Sequence, residues 1–600
     1  MSAEVYLDTV DLEAPVFETV AIDSSRPETL ESYPLPVIRA TGRSEMVTFR
    51  VAVLENPWLK VVFNLDLGGR IGLVFDKRSG LHVLAPPASL EPDPHRRALA
   101  AGGLLAVGDR DPAYGLSTVD FVLREPQEIG APAGLVLHDI VPIHNIGWHL
   151  EAELAEDRAD LRMTVRIANR SLMPSPCPVA WRFFVPGAAA TVLEDGVAVH
   201  RAADRAGFGL FFASDAFRVE ASEGEVLLAR PGREVLLPRE TDAFSLRLVP
   251  WSGFERLMGA SPVGAIGRQG GDLAIQVSEP VTEGRLVLDL ESGSPVEAAV
   301  SLVPGALLQV DGGRIPGRVV AAAMVGSEGP LIETHREPIL SEMPGRSPTR
   351  AALIDALDQP GTPEHGYAQA VHALALGRDA QREYGLASLV PGLESVSRIG
   401  LAREAVIRRD FTGAAEWVGL ALEHNAEDPL AWWLVAAVGR HTGTSGDERT
   451  ELLNAHYLAP LEPALRMESF LTTPSASREP SPLVQPLATN PDALIDGACL
   501  LIEFGLAEDA ARWIDEALRH RELPALHYLL AWLLLQHTRM DAEAAQHLHA
   551  AAKLPIQPPL PWRWVEVAVL EALRSRFPGD EVLSRWCSLG NRKCLVEGVR

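Results

Sequence analysis

Positive charge is in short supply in this 600-residue chain, where 54 Lys and Arg stand against 80 Asp and Glu, a formal net charge of −26. A nucleic-acid backbone is held by lysine and arginine patches. The only local basic clusters, Arg96-Arg97 and Arg408-Arg409, are too short to form one, which speaks against nucleic acid as a partner. Cysteine is scarcer still: Cys177, Cys499, Cys587 and Cys594 have neither the number nor the spacing of a disulfide framework or a metal set, and read as ordinary buried thiols. Apolar runs long enough to span a bilayer, about 18 residues, are absent, and the longest candidate, residues 527–536, has the size of one buried helix, so no membrane span is expected. The opening MSAEVYLDTVDLEAP is acidic, with no basic n-region and no apolar h-region, so no secretion signal is expected and the protein reads as cytoplasmic. There is no G-x-G-x-x-G after a strand, no G-x-x-x-x-G-K-[ST], no H-E-x-x-H and no G-x-S-x-G elbow. Nucleotide-dependent and serine-hydrolase chemistry fall away, and no cofactor is expected.

Apolar residues, by contrast, make up 47 % of the chain and charged residues 22 %, enough to bury large cores. The length is too great for one core, so two or more domains are expected. The most informative stretch is residues 51–84, VAVLENPWLKVVFNLDLGGRIGLVFDKRSGLHVL. Its β-branched and aromatic residues alternate with polar ones, Gly68-Gly69 punctuates the second run, and Asp76-Lys77-Arg78-Ser79-Gly80 is a polar turn, together an antiparallel meander. Residues 1–45 carry Pro15, Pro27, Pro34 and Pro36 and read as an extended wrap with edge strands. From residue 46 to 340 strand-like runs recur between Gly, Pro, Asp and Asn, among them LVLHDIVPIH, WHLEAELAE, LRMTVRIAN, VAWRFFVP and GRLVLDLE, the pattern of one large antiparallel β-sandwich.

Past residue 340 the period changes to about 3.6. Residues 410–441, DFTGAAEWVGLALEHNAEDPLAWWLVAAVGRH, give a helix-turn-helix rhythm with small residues at Gly413, Ala414 and Ala421 and Asp428-Pro429 opening the second helix. Further copies begin at Leu494 and Asp541. Residues 341–600 are therefore a solenoid of tetratricopeptide-like repeats, interrupted by a Pro-, Ser- and Thr-rich loop at 472–492. The fold class expected is multidomain, β then α.

The wording of residues 55–80 is more specific than its period. Glu55-Asn56 before a strand, Gly68-Gly69-Arg70 at a strand junction, and Asp-Lys-Arg-x-Gly closely resemble the opening of a bacterial family long called a domain of unknown function, itself similar to the galactose mutarotases and to sugar-binding domains of glycoside hydrolases, and usually followed by tetratricopeptide repeats. The resemblance extends to ANRS at 168–171, PVAWRFFVP at 178–186 and residues 454–578, so it spans nearly the whole chain. It implies a mutarotase-like supersandwich with a sugar groove on one sheet's concave face, where a carboxylate meets His or Asp partners. Moving a proton on and off a hydroxyl at neutral pH takes such groups in a partly desolvated site.

The candidates follow. Glu333 in GPLIETHRE resembles the family's late Gly-Pro-aromatic-Ile-Glu-Leu strand, and His335 shares its face if this is a strand; the alternative is the solvated face of an edge strand. In residues 102–121 the family's Glu, Asn and loop His are replaced by Leu104-Leu105-Ala106-Val107. Asp109 and Asp111, flanking Arg110, can fork onto sugar hydroxyls or form a plain polar turn. The spacing of His138, His144 and His149 is not that of a zinc fold, and no metal is expected. Trp148 beside His149 is a platform for a sugar ring or a core residue. Trp181 and Arg182 point to opposite faces of a strand, so one meets the groove. Arg70 is a sugar-facing group or the partner of Asp66 or Asp76. Two readings stand: a carbohydrate-binding or carbohydrate-processing protein, a glycoside hydrolase or epimerase with Glu333 as acid or base; or a non-catalytic sugar-binding or scaffold protein whose repeats recruit a protein partner or self-associate. The replaced Glu, Asn and His favour the second, Glu333 with His335 the first.

Overall fold

The computed structural model describes residues 2–23, 35–85, 90–93, 98–100, 103–105, 118–128, 130–141, 145–176, 180–184, 188–212, 217–222, 225–229, 235–334, 348–375, 378–443, 455, 459–473, 481, 483–538, 540–556 and 559–589. The N-terminal part is antiparallel β-structure and the C-terminal part is helical. Two large sheets face each other. The first, here the outer sheet, runs in the order Glu4–Asp23, Leu35–Glu55, Leu59–Asn64, Arg70–Asp76, Gly103–Leu105, Ala180–Phe184, Glu225–Ala229, Arg218–Ser222. The second, here the seam sheet, runs Ala189–Leu193, Gly196–Arg201, Ala206–Phe211, Thr241–Ser252, Leu161–Asn169, Ile146–Leu154, Ala133–Val141, Asp120–Arg124.

The period of 2 decides what faces what. Leu59, Val61 and Phe63 point into the core between the sheets, where Leu135, Leu137, Trp148, Leu150, Met163 and Val165 of the seam sheet meet them. Lys60, Val62 and Asn64, the alternate set, are left for the outer face. Each fully buried Val, Leu or Phe contributes about 1.5–3 kcal/mol relative to exposure, so a one-residue slip of either sheet is strongly disfavoured. Gly68 and Gly69 turn the chain at φ 72° and 68°. A Cβ on Gly69 would also lie 3.0 Å from a Leu137 methyl, so both conformation and space require glycine there.

The strands from residue 256 to 333 do not extend these sheets. They form a second, smaller pair: Arg256–Ser261, Gly264–Gln269, Asp272–Val277 and Leu307–Val310 in one sheet, and Val281–Leu290, Val296–Leu302, Val319–Gly326 and Gly329–Glu333 in the other. Ile266, Leu273, Ile275, Leu286, Leu288, Met324 and Ile332 make a core of their own. Strand periodicity reads identically in both parts, because it reports a buried face and not which sheet buries it.

Helices occupy the chain from Pro348. Asp410 accepts a hydrogen bond from the Gly413 amide (3.0 Å) to open the helix Phe411–Leu422, and Asp428 accepts from the Leu430 amide (2.9 Å), with Pro429 at the first position, to open Pro429–Thr442. In Ala507–His520 the buried residues Ala510, Trp513, Ile514 and Ala517 recur at helical spacing, and Trp433, Trp513 and Trp586 are fully buried between helices. Among the described residues no helix is long and apolar enough to cross a membrane.

The helical part lies against the seam sheet. Arg170, just past the strand Leu161–Asn169, reaches across to Asp496 (2.6 Å) and Glu462 (3.1 Å), and the Tyr367 hydroxyl donates to the Leu172 carbonyl (2.8 Å). A Cβ at Gly147 would sit 2.9 Å from Arg170 Cδ, so glycine there leaves room for the Arg170 side chain.

Candidate functional site

Among the described residues, the large sandwich carries a concavity on each sheet's outward side. The outer sheet holds the larger, with ≈ 170 Å³ open to the centres of water-sized molecules. Its walls are the alternate residues left by the core: Val10 and Leu12, Val51 and Val53, Val62, Leu67 and Leu90. At its floor, Asn64 and Arg70 are both more than nine-tenths buried. Arg70 donates from Nε to the Leu67 carbonyl (2.8 Å), and burial pulls its guanidinium down to about 10, still charged at neutral pH. Asp66 is engaged by Arg50 (2.7 Å) and Asp76 by Arg78 (2.8 Å). The Oδ1 of Asn64 is buried with no hydrogen-bond partner. Unsatisfied buried acceptors cost about 1–3 kcal/mol, which makes this one a place where a ligand donor gains more than it would in water. Asp8, Thr9 and Lys60 complete the polar lining.

The seam sheet carries a polar row. Antiparallel register sets Asp120 beside His138, His138 beside His149, and His149 beside Arg166 on four neighbouring strands. All four lie on the face turned away from the sandwich core, because Leu137, Trp148, Leu150 and Val165 occupy the core-facing positions next to them. His138 is completely buried, its Nδ1 is 3.9 Å from Asp120 Oδ2, and neither of its ring nitrogens has a hydrogen-bond partner. The two imidazole rings are 4.4 Å apart. Burial, then the neighbouring His138, Arg166, Arg170 and Arg466, hold the His149 imidazole well below the ordinary histidine range, so it is neutral at pH 7. From the helical side Glu462 closes the group: one ligand atom from each of His138, His149 and Glu462 lies within 4.8 Å of the others. The space beside them is only ≈ 30 Å³, bounded by Gly147, His149, Arg166, Arg170, Glu427 and Glu462. That holds one or two water-sized species and excludes a sugar ring.

Of the residues singled out in the sequence, Arg70 lines the outer-sheet cavity and His149 belongs to the seam row. Trp148 sits in the sandwich core, 3 % exposed, because it alternates with His149, and is therefore no platform for a ring. Glu333 is exposed at the end of the edge strand Gly329–Glu333 of the small sheet pair, paired through its backbone with Ala323 and in neither large sheet. Trp181 and Arg182 lie on Ala180–Phe184 of the outer sheet, Arg182 opposite Leu105, but their side chains fall outside the described residues. Asp109, Asp111, His144 and His335 also lie outside the described residues. Sequence reasoning did not find Asn64, Asp120, Glu462 or Asp496. In the ANRS segment, Asn169 donates from Nδ2 to the carbonyls of Leu236 and Leu237, and Arg170 is the clamp to the helices, both architectural roles.

No protein-family profile matches the chain, and no curated protein matches it. Solved structures similar to it include a TPR-domain-containing protein from Parabacteroides distasonis, at 12 % identity and TM-score 0.36 over 96 % of both chains. A galactose mutarotase-like protein from Clostridium acetobutylicum is similar over 34 % of this chain and 96 % of its own, at 10 % identity and TM-score 0.26. A galactose 1-epimerase from Lactobacillus acidophilus is similar over 41 % of this chain and all of its own, at 11 % identity and TM-score 0.25. These likenesses are distant and concern the arrangement of the chain alone.

Proposed function

We propose that this protein binds a carbohydrate, one pyranose-sized ring or the end of an oligosaccharide, in the outer-sheet cavity. The observation that carries the reading is the buried, unpartnered Oδ1 of Asn64 beside the Arg70 side chain at the floor of a concavity with Val and Leu walls and a few polar groups. A sugar presents hydroxyl donors and acceptors around its rim and apolar C–H faces, and this lining offers an acceptor, a cationic donor and Val and Leu walls to match. At ≈ 170 Å³ the space is comparable to an apolar cavity of about 150 Å³ that takes up one benzene-sized ring. Support also comes from the Gly68-Gly69-Arg70 motif, whose resemblance to sugar-facing sandwiches ends on the residue that lines the cavity. Among the described lining residues the carboxylate is Asp8 alone, where two-carboxylate hydrolysis asks for a pair, so the geometry favours binding over acid–base turnover.

The test is a thermal-shift screen of the full chain against mono- and oligosaccharides, repeated on Asn64→Leu. A ligand that prefers the native state raises the midpoint, by about 2.7 kcal/mol of stabilisation at a hundred times its Kd. The expected outcome is a shift with at least one sugar that the variant loses. If no sugar moves the midpoint of the wild-type protein, the proposal fails.

A further inference from the structure

We infer that His138, His149 and Glu462 form a site for one divalent transition-metal ion of the zinc type, which joins the seam sheet to the helical half. Two imidazoles and a carboxylate are a donor set for Zn²⁺. Here they come from three separate elements, the strands Ala133–Val141 and Ile146–Leu154 and the residue preceding the helix Pro463–Thr472. Their ligand atoms lie within 4.8 Å of one another, and tetrahedral Zn²⁺ would draw them to about 3.4 Å by small side-chain rotations.

The state of each ligand points the same way. Both nitrogens of the fully buried His138 and Nδ1 of His149 lack hydrogen-bond partners, an arrangement costly to maintain unless something else is bound. Asp120 stands 3.9 Å from Nδ1 of His138, about 1 Å beyond hydrogen-bond reach, on the side from which a carboxylate would orient the ring once Nε2 holds the metal. Glu462 engages Arg170 through Oε1 and makes no cap hydrogen bond to its helix, which leaves Oε2 for the ion. The adjoining ≈ 30 Å³ supplies a fourth position for a water molecule. Guanidiniums border the site: Arg170 is answered by Glu462 and Asp496, whereas Arg166 lines the same space and Arg466 acts on His149 from nearby, so an ion there is held against that charge by Glu462 and Asp120.

The experiment uses the full-length protein stripped with chelator, then titrated with Zn²⁺ followed by elemental analysis, and with Co²⁺ followed by visible absorption. One ion per chain is expected, with the d–d bands of a low-coordinate Co²⁺ centre. Asp120→Asn should weaken binding by about 10–100-fold, and His149→Asn should abolish it while circular dichroism shows an intact fold. Absence of stoichiometric metal in the wild-type protein overturns the site whatever the variants do. Undiminished binding in folded His149→Asn and Glu462→Gln proteins overturns it too, because the ion is then held elsewhere.

Discussion

Asn56 ties two β-hairpins together with a single amide. Its Nδ2 donates to the carbonyls of Ala155 (2.6 Å) and Arg158 (2.7 Å), and its Oδ1 accepts from the amides of Trp58 (2.9 Å) and Leu59 (2.8 Å). Alanine there would leave four backbone groups, three part-buried and one buried, without these partners, so Asn56→Ala should lose about 3 kcal/mol in urea unfolding, and Asn56→Asp, which lacks the N–H donors, a similar amount. Arg78 plays a comparable part. Nearly fully buried, it bonds Asp76 twice and donates to the carbonyls of Pro250 (2.9 Å), Val277 (3.1 Å) and Pro304 (3.1 Å), stitching the large sandwich to the small one. Arg78→Met leaves the Asp76 carboxylate buried and unpaired and should cost about 3–5 kcal/mol. Glu55-Asn56 and Asp-Lys-Arg-x-Gly thus stand out in the sequence for reasons that are architectural, which a motif alone does not reveal. Asp66 adds a pH dependence. Burial works to raise its pKa, but hydrogen bonds from the Arg50 side chain and amide and from Thr118 outweigh this and hold it below the usual carboxylate range. Its contribution is fully present above the unfolded value of about 3.9 and is lost as pH falls through the folded value. Asp66→Asn should therefore flatten the acid limb of a stability–pH curve below about pH 4 and leave its shape near neutrality unchanged.

Helix boundaries in the C-terminal half follow rules that act locally, which is why they are readable from sequence. Asp410, Asp428 and Pro429 announce helix starts, and Gly443, at φ 70°, closes the second helix of that unit. Asp428 is a test of how caps work when buried. Its Oδ1 makes the cap bond while its Oδ2 is buried without a partner, and burial pushes its carboxyl pKa up. Asp428→Asn keeps the acceptor and removes the charge, so it should change stability by less than about 0.5 kcal/mol, whereas Asp428→Ala should cost about 1 kcal/mol in thermal or urea melts. Strand pairing is less readable. His138 and His149 become direct neighbours only through the exact register of one hairpin, and periodicity fixes the face of each residue without naming its cross-strand partner. The same limit applies to Trp148: its strand is legible from the alternation, whereas the choice between core and groove depends on which face meets the second sheet.

Across the whole molecule, the order of β then α is legible because the period of the apolar pattern changes from 2 to about 3.6 near residue 340. The seam between the halves is not, since it depends on contacts between residues some three hundred positions apart. Arg170 is its centre, with Glu462 and Asp496 on the helical side and Arg563 sharing Asp496. Arg170→Met should leave the buried Glu462 without its cationic partner while Asp496 keeps Arg563, cost about 3 kcal/mol, and separate the unfolding of sandwich and helices into two resolvable transitions. The outer-sheet cavity lies on the opposite side of the sandwich from this seam. The proposed sugar site and the sandwich–solenoid contact therefore lie on different surfaces, and a seam variant that stays folded should give the same thermal shifts with sugars as the wild-type protein.

The most direct test of the carbohydrate reading is a crystal structure of the full chain soaked with the saccharide that gives the largest thermal shift. The predicted result is one sugar ring between Val51, Val53 and Leu12, with a hydroxyl donating to Asn64 Oδ1 and another accepting from Arg70. A ring bound anywhere else, with the outer-sheet cavity holding only solvent, would contradict it.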